Sequence, residues 1–69
     1  MTTDLSPHIL AALKDAELDG YAVLKDVQEL SGQAVSVAEL YSNLARLQRE
    51  GRIVVAREAG HVKYWGLPR

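Results

Sequence analysis

The chain has 69 residues, of which 48% are apolar and 25% are charged, and it contains no cysteine. This length provides one modest hydrophobic core, because a folded chain of this size buries only about 60% of the surface that it exposes when unfolded. The lack of cysteine excludes disulfide bonds and thiolate zinc sites, and it fits a reducing cytoplasm. We therefore expect a single domain over residues 1–69 that folds without a cofactor or a metal.

The N-terminal segment has no feature of a targeting or membrane-spanning sequence. It does not begin with a basic stretch, and the longest run of apolar residues is the five-residue segment 9–13. A bilayer-spanning helix needs about twenty apolar residues. The sequence therefore predicts a cytoplasmic protein that makes no contact with a membrane.

The net charge of −1 conceals a difference between the two halves of the chain. Residues 1–35 carry two lysines and six carboxylates, a net charge of −4, whereas residues 36–69 carry six basic side chains and three carboxylates, a net charge of +3. Such an asymmetry is expected where one surface of a protein meets a polyanion. An excess of this size also arises by chance, so charge alone does not identify the partner.

Two helices are predicted in the acidic half. The first spans about residues 6–19, with Ser6 as its cap, Pro7 in its first turn and Gly20 ending it. The second spans about residues 21–31 and is broken by a Ser-Gly-Gln segment. Its apolar residues recur at helical spacing and comprise Val23, Val27 and Leu30.

The third helix, over about residues 36–50, has the clearest beginning. Ser36 and Glu39 match a capping box, in which the serine accepts from a backbone N–H and the glutamate reaches back. Gly51 ends the helix. The predicted buried stripe consists of Leu40, Leu44 and Leu47, and the predicted exposed stripe of Glu39, Ser42, Arg46 and Arg49.

After residue 51 the apolar period changes from that of a helix to that of a strand. Two strands are predicted, near residues 52–57 and 61–67, around a glycine-containing turn. Trp65 alternates with Leu67 and is expected in the core. Because a two-stranded hairpin is not stable alone, it must pack on the helices. The predicted fold is α+β: a winged helix-turn-helix with three helices followed by a two-stranded β-hairpin wing.

Several residues between positions 6 and 67 resemble the DNA-binding domain of PadR-type transcriptional regulators. The distinctive elements are Gly20-Tyr21, Leu40-Tyr41 and Lys63-Tyr64-Trp65. The resemblance implies a small DNA-binding regulator whose third helix, about residues 36–50, enters the major groove of double-stranded DNA, while the wing, residues 57–63, contacts the backbone or minor groove. The DNA-contacting residues that it implies are Ser36, Tyr41, Ser42, Asn43 and Lys63.

Arg46 is a further candidate for contact with DNA, on chemical grounds. A guanidinium forms paired hydrogen bonds to guanine and charge-assisted bonds to phosphate. The alternative is a solvated helix face beside Glu50. Tyr21 is expected to pack against the third helix, with phosphate contact as the alternative, and His61 at the tip of the wing is a further candidate for phosphate.

Three features depart from the PadR pattern. Ala38-Glu39 replaces a usual Gly-Thr pair, and Ser42 stands where proline is common. The chain also ends at Arg69, without the long C-terminal helix through which these regulators form dimers. We therefore expect a monomer or a weak homodimer, because the apolar residues left for an interface are few: Leu5, Leu10, Val54 and Tyr64.

The sequence leaves two alternatives to a DNA-binding regulator, a protein-interaction module and an enzyme. A winged helix can act as a protein-interaction module without specific DNA binding, which the negative net charge and Glu39 favour. Catalysis has little support: Tyr21 and Lys25 have the spacing of a dehydrogenase pair, but the chain lacks a glycine-rich phosphate loop. Its two histidines are isolated. The sequence thus predicts a protein that is not an enzyme.

Overall fold

The computed structural model describes residues 4–68, which form three helices and a three-stranded antiparallel sheet. Three helices followed by a β-hairpin confirm the predicted α+β winged-helix fold. Each helix in this range is too short or too polar to cross a lipid bilayer. In chain order the elements are α1 (Ser6–Ala12), β1 (Leu18–Asp19), α2 (Gly20–Ser31), α3 (Val37–Arg49), β2 (Val54–Ala59) and β3 (Val62–Gly66).

The first helix ends at Ala12, so the predicted end near residue 19 was wrong. Asp19 instead caps the next helix, because its carboxylate accepts a hydrogen bond from the N–H of Ala22 at 3.0 Å. Gly20 is then the first residue of α2. An Asp-Gly pair is typical both of a helix end, which the glycine closes, and of a helix start, which the aspartate caps. Here Asp19 caps the start of α2.

The start of α1 also differs from the expectation that Ser6 is its cap. Ser6 is the first residue of the helix, and Leu5 occupies the cap position without a side-chain hydrogen bond. The carboxylate of Asp4 accepts from the N–H of Ser6 at 3.0 Å. At the start of α1, Asp4 thus provides the hydrogen-bond acceptor that the sequence assigned to Ser6. Pro7 lies in the first turn, as predicted.

The turn between α2 and α3 and the start of α3 are fixed by side chains. Gly32 ends α2 with a positive φ of 70°, and the side chain of Gln28 accepts from the N–H of Val35 at 3.0 Å. Ser36 caps α3, accepting from the N–H of Glu39 at 3.1 Å and donating its hydroxyl proton to the Glu39 carboxylate at 3.1 Å. The predicted capping residues of α3, Ser36 and Glu39, are therefore confirmed.

The sheet contains one strand more than the predicted hairpin. Its strand order is β1-β3-β2, so β3 is central. In β1, Leu18 lies opposite Trp65 and Asp19 opposite Tyr64. The register of β2 against β3 shifts between Val55 and Arg57, which marks a β-bulge. Through β1, the wing is joined to the segment that leads from α1 into α2.

The three helices and the sheet share one core, which confirms the predicted burial of Trp65. Leu30, which shares the helical spacing of Val23 and Val27, is 53% exposed and lies outside this core. Leu5 is buried, so it is unavailable to a dimer interface; a monomer or weak homodimer remains a prediction. The buried apolar residues are Leu5, Ile9, Leu13, Val23, Val27, Leu40, Leu44, Leu47, Ile53 and Trp65.

Candidate nucleic-acid interface

The third helix lies on the core through its leucines and leaves the opposite face open. Tyr41 and Ser42, two of the predicted DNA-contacting residues, lie on this open face. Small side chains lie along the middle of the open face, so another molecule can approach the backbone of α3 closely. The exposed residues of α3 are Val37, Ala38, Tyr41, Ser42, Ala45, Gln48 and Arg49.

Asn43 does not share this face, and its predicted outward orientation was wrong. The side chain is 1% exposed. Its carboxamide oxygen accepts from the N–H of Leu5 at 3.1 Å, and its amide nitrogen donates to the carbonyl of Glu39 at 2.8 Å. Asn43 thus links α3 to the start of α1 by hydrogen bonding. Without it, the backbone N–H of Leu5 would be buried and unpaired.

Arg46 is held within the protein by four side chains. Its Nη2 donates to Asn43 Oδ1 at 2.8 Å and to Ser6 Oγ at 2.9 Å. The same nitrogen lies 3.1 Å from the Asp4 carboxylate, and Nη1 lies 3.7 Å from Glu50. Its side chain is only 34% exposed. Arg46 therefore sits at the edge between α3 and α1 and is not free on the open face.

The polar contacts around Asp4 lower the pKa of its carboxyl group. The largest cause is the hydrogen bond from the Ser6 hydroxyl, followed by the bond from the Ser6 N–H. Partial loss of solvent opposes them, and Arg46 adds a smaller lowering contribution. The start of α1 thus carries a charged carboxylate that the neighbouring donors stabilise.

Ser36 and Glu39 lie at the N-terminal end of α3 and are engaged with each other. The hydroxyl of Ser36 both accepts from Glu39 and donates to it. Ser36 is exposed, whereas Glu39 is half-buried. The acidic side chain that departs from the PadR pattern is therefore turned back towards the cap, which reduces its repulsion of an approaching phosphate.

The wing and the helices form a groove beside this end of α3. The start of α2, the middle of α3 and the turn of the hairpin meet there, and the residues lining the groove include Tyr21, Tyr41, His61 and Lys63. The structure thus brings together Tyr41 and Lys63, which lie far apart in sequence. Tyr21 is 76% exposed and contributes little packing, contrary to the expectation that it packs on the third helix.

Ion pairing separates the basic side chains into two groups. Arg52 lies 3.9 Å from Glu50, and Arg57 lies 3.8 Å from Glu17 and stacks over the ring of Tyr64. Together with Arg46, these arginines are neutralised locally. Arg49 and Lys63 form no ion pair within residues 4–68. In the same range, no three His, Asp or Glu side chains are grouped so as to hold a metal ion.

The open face also includes Ala38, Ala45 and Gln48, which were not predicted from the sequence. Their helical spacing could have predicted this position. Ala38 and Ala45 lie four residues before and three residues after Ser42, and side chains at these separations share a helix face. Likewise, Asn43 lies three residues after Leu40 and four before Leu47, which places it on the buried face.

A helix-turn-helix followed by a β-hairpin defines the class of winged-helix domains, many of which place their second helix-turn-helix helix in the major groove of DNA. The comparison with protein families gives a more specific result. The chain belongs to the PadR-like family of transcriptional regulators, which it matches over residues 9–67. Regulators of this family bind DNA.

One curated relative is similar to this chain: an uncharacterized 37.1 kDa protein in transposon Tn4556 of Streptomyces fradiae. The two sequences are 34% identical over 59 residues, which is 86% of this chain and 17% of the relative. The chain therefore spans about a sixth of the length of that protein. No solved structure gives a significant match.

Proposed function

We propose that this domain binds duplex DNA by placing the open face of α3 in the major groove, with the wing against the neighbouring backbone. The observation that carries this proposal is the position of α3: its leucines face the core, and its small and polar residues face outward. The major groove admits an α-helix. The membership in a family of DNA-binding regulators supports the same assignment.

The open face offers the chemistry needed to read base edges. Gln48 can form a paired contact with adenine, Arg49 with guanine or a phosphate, and the methyl group of Ala45 can contact a thymine methyl. Ser42 adds a hydroxyl that serves as donor or acceptor. We assign Ser42, Gln48 and Arg49 as candidate base contacts, with Ser36 at the edge of the groove.

Lys63 and Arg46 receive different assignments. Lys63 is exposed on the wing and free of carboxylates within residues 4–68, so we assign it to a backbone phosphate. Arg46 reaches DNA only by leaving Asp4, Ser6 and Asn43, and we assign it no contact. Because Asn43 is buried, we also assign it no contact with DNA.

The test is a titration of fluorescently labelled mixed-sequence duplex DNA with the protein over a series of salt concentrations, followed by anisotropy. With about four phosphate contacts, log affinity should fall against log salt with a slope of roughly −3 to −4. Arg49→Ala and Lys63→Ala should each weaken binding, and Lys63→Ala should also flatten the slope by about one because it removes one phosphate contact. Lys14→Ala is the matched control, since Lys14 is exposed and lies outside the proposed interface.

Absence of binding at low salt, or a slope near zero, would contradict the proposal. It would favour the second candidate, a protein-interaction module without specific DNA binding. The observation behind that candidate is a groove between α1 and α2 that combines acidic and apolar side chains. Its lining includes the carboxylates of Asp15, Asp26 and Glu29 beside the exposed Leu30.

A further inference from the structure

The groove between the start of α2, the middle of α3 and the wing is lined by hydrogen-bond donors from all three elements. Tyr21 comes from α2, Tyr41 from α3, and His61 and Lys63 from the hairpin. Hydroxyl, imidazole and ammonium groups all donate hydrogen bonds. Such a convergence suits an anionic ligand.

These donors have no partners within residues 4–68. No hydrogen bond or ion pair engages the side chains of Tyr21, Tyr41, His61 or Lys63 there. One carboxylate, that of Asp19, lines the same groove. It accepts from the N–H of Ala22 at 3.0 Å and is therefore directed to the cap of α2.

The lack of a side chain at Gly20 leaves the space that the Tyr41 hydroxyl occupies. A Cβ atom built on Gly20 would overlap the hydroxyl oxygen of Tyr41 and come within 2.8 Å of ring carbon Cζ. Gly20 has a negative φ, so its backbone conformation does not require glycine. The close approach of the tyrosine does, and any side chain at position 20 would displace the ring.

We propose that this groove binds one phosphate of the DNA backbone, through the hydroxyl groups of Tyr21 and Tyr41 and the ammonium of Lys63, with Gly20 as the positioning residue for Tyr41. The proposal rests on the duplex binding proposed above. It assigns Tyr21 and Gly20 roles in binding and joins α3 to the wing through a shared phosphate. Tyrosine, lysine and backbone groups are common ligands of DNA phosphates.

The test separates the charged from the neutral contacts of the site. Lys63→Gln should weaken duplex binding and flatten the salt slope by about 0.9, because one phosphate is no longer neutralised. Tyr41→Phe removes a neutral hydroxyl, so it should weaken binding by about 2- to 10-fold with the slope unchanged. Tyr64→Phe is the matched control, since Tyr64 lies beneath Arg57 and does not line the groove. It should bind as the unaltered protein does. Lys14→Gln is the charge-matched control for Lys63→Gln, since Lys14 is exposed and lies outside the groove.

A double-mutant cycle tests the role of Gly20. Gly20→Ala should weaken binding about as much as Tyr41→Phe, although alanine is more favourable than glycine in a helix. In a Tyr41→Ala background, Gly20→Ala should have no further effect on affinity. Circular dichroism melts of each variant establish that the domain remains folded.

Three results would overturn the inference. If the protein binds duplex, but Tyr41→Phe behaves like Tyr64→Phe and Lys63→Gln like Lys14→Gln, the phosphate site is refuted while the proposed function stands. If Gly20→Ala weakens binding equally in the Tyr41→Ala background, Gly20 does not act through Tyr41. If the unaltered protein fails to bind duplex at low salt, the phosphate site and the proposed function both fail.

Discussion

Arg46 in the third helix is linked to Asp4, which precedes the first helix, by a contact of 3.1 Å between guanidinium and carboxylate. The two residues are separated by 42 positions in the chain. Their contact, shared with Ser6 and Asn43, holds the start of α1 against α3. A basic residue that the sequence suggested for DNA is thus neutralised by a carboxylate of the same domain.

The first prediction concerns the pH dependence of this link. The pKa of Asp4 is lowered in the folded protein from its ordinary value of 3.8. The charged carboxylate therefore stabilises the fold above that value, and the stabilisation is lost as the pH falls through the lower, folded-state pKa. Asp4→Asn should lower the urea midpoint at about pH 6, and its difference from the unaltered protein should shrink at about pH 2.5.

Asp15→Asn is the control for this comparison, because Asp15 is exposed and forms no ion pair within residues 4–68. It should change the midpoint little at either pH. A difference between Asp4→Asn and the unaltered protein that stays constant from pH 6 to pH 2.5 would show that the carboxylate charge contributes nothing.

The second prediction concerns the buried carboxamide of Asn43. Asn43→Ala leaves the N–H of Leu5 without its acceptor, so the free energy of unfolding should fall by about 1–3 kcal/mol. Chemical denaturation measures the change, with the exposed neighbour Ser42→Ala as control. DNA affinity, corrected for the folded fraction, should remain near that of the unaltered protein. A stable Asn43→Ala variant with strongly reduced affinity would restore Asn43 as a DNA-contacting residue.

The third prediction concerns the cap of α3. Ser36→Ala removes the oxygen that accepts from Glu39, and it should lower the free energy of unfolding by about 1 kcal/mol. Ser36→Thr keeps a hydroxyl and should recover most of the loss. Thermal melts followed by circular dichroism compare the two. Equal midpoints for the alanine and threonine variants would mean that the cap does not stabilise this helix.

The fourth prediction concerns Trp65, which is 6% exposed and pairs with both neighbouring strands. Trp65→Ala should remove about 3–5 kcal/mol, while a domain of this length has a total stability of roughly 3–10 kcal/mol. We expect a variant that is largely unfolded by circular dichroism at 25 °C. Val62→Ala, on the exposed part of the same strand, should remain folded. A cooperative melt of Trp65→Ala near that of the unaltered protein would contradict the assignment of this residue to the core.

The sequence predicted those parts of the fold that local chemistry determines. The capping serine and the leucine spacing defined α3 within one residue at each end, and the change of period defined the hairpin. It did not predict β1, because two residues show no periodicity. The end of α1 at Ala12 was missed as well, because the Asp-Gly pair that the sequence assigned to the end of that helix caps the start of α2 instead.

Less of the candidate site could be predicted from the sequence. Which arginines are free depends on carboxylates distant in the chain, such as Asp4 for Arg46 and Glu17 for Arg57. The close approach of Tyr41 to Gly20 depends on the crossing of α2 and α3. The burial of Asn43, in contrast, could have been predicted from the sequence, because helical spacing alone places it on the same face as Leu40 and Leu47.

The position of β2 at the rim of the sheet affects how copies of the protein behave at high concentration. A strand at a sheet edge presents unpaired N–H and C=O groups that can template pairing with another chain. Here the outer strand contains a bulge next to Arg57, and Glu58 follows. Distortion and charge at an edge both hinder the addition of a foreign strand. The irregularity and the charges of β2 are therefore expected to hinder edge-to-edge pairing of the wing with another copy.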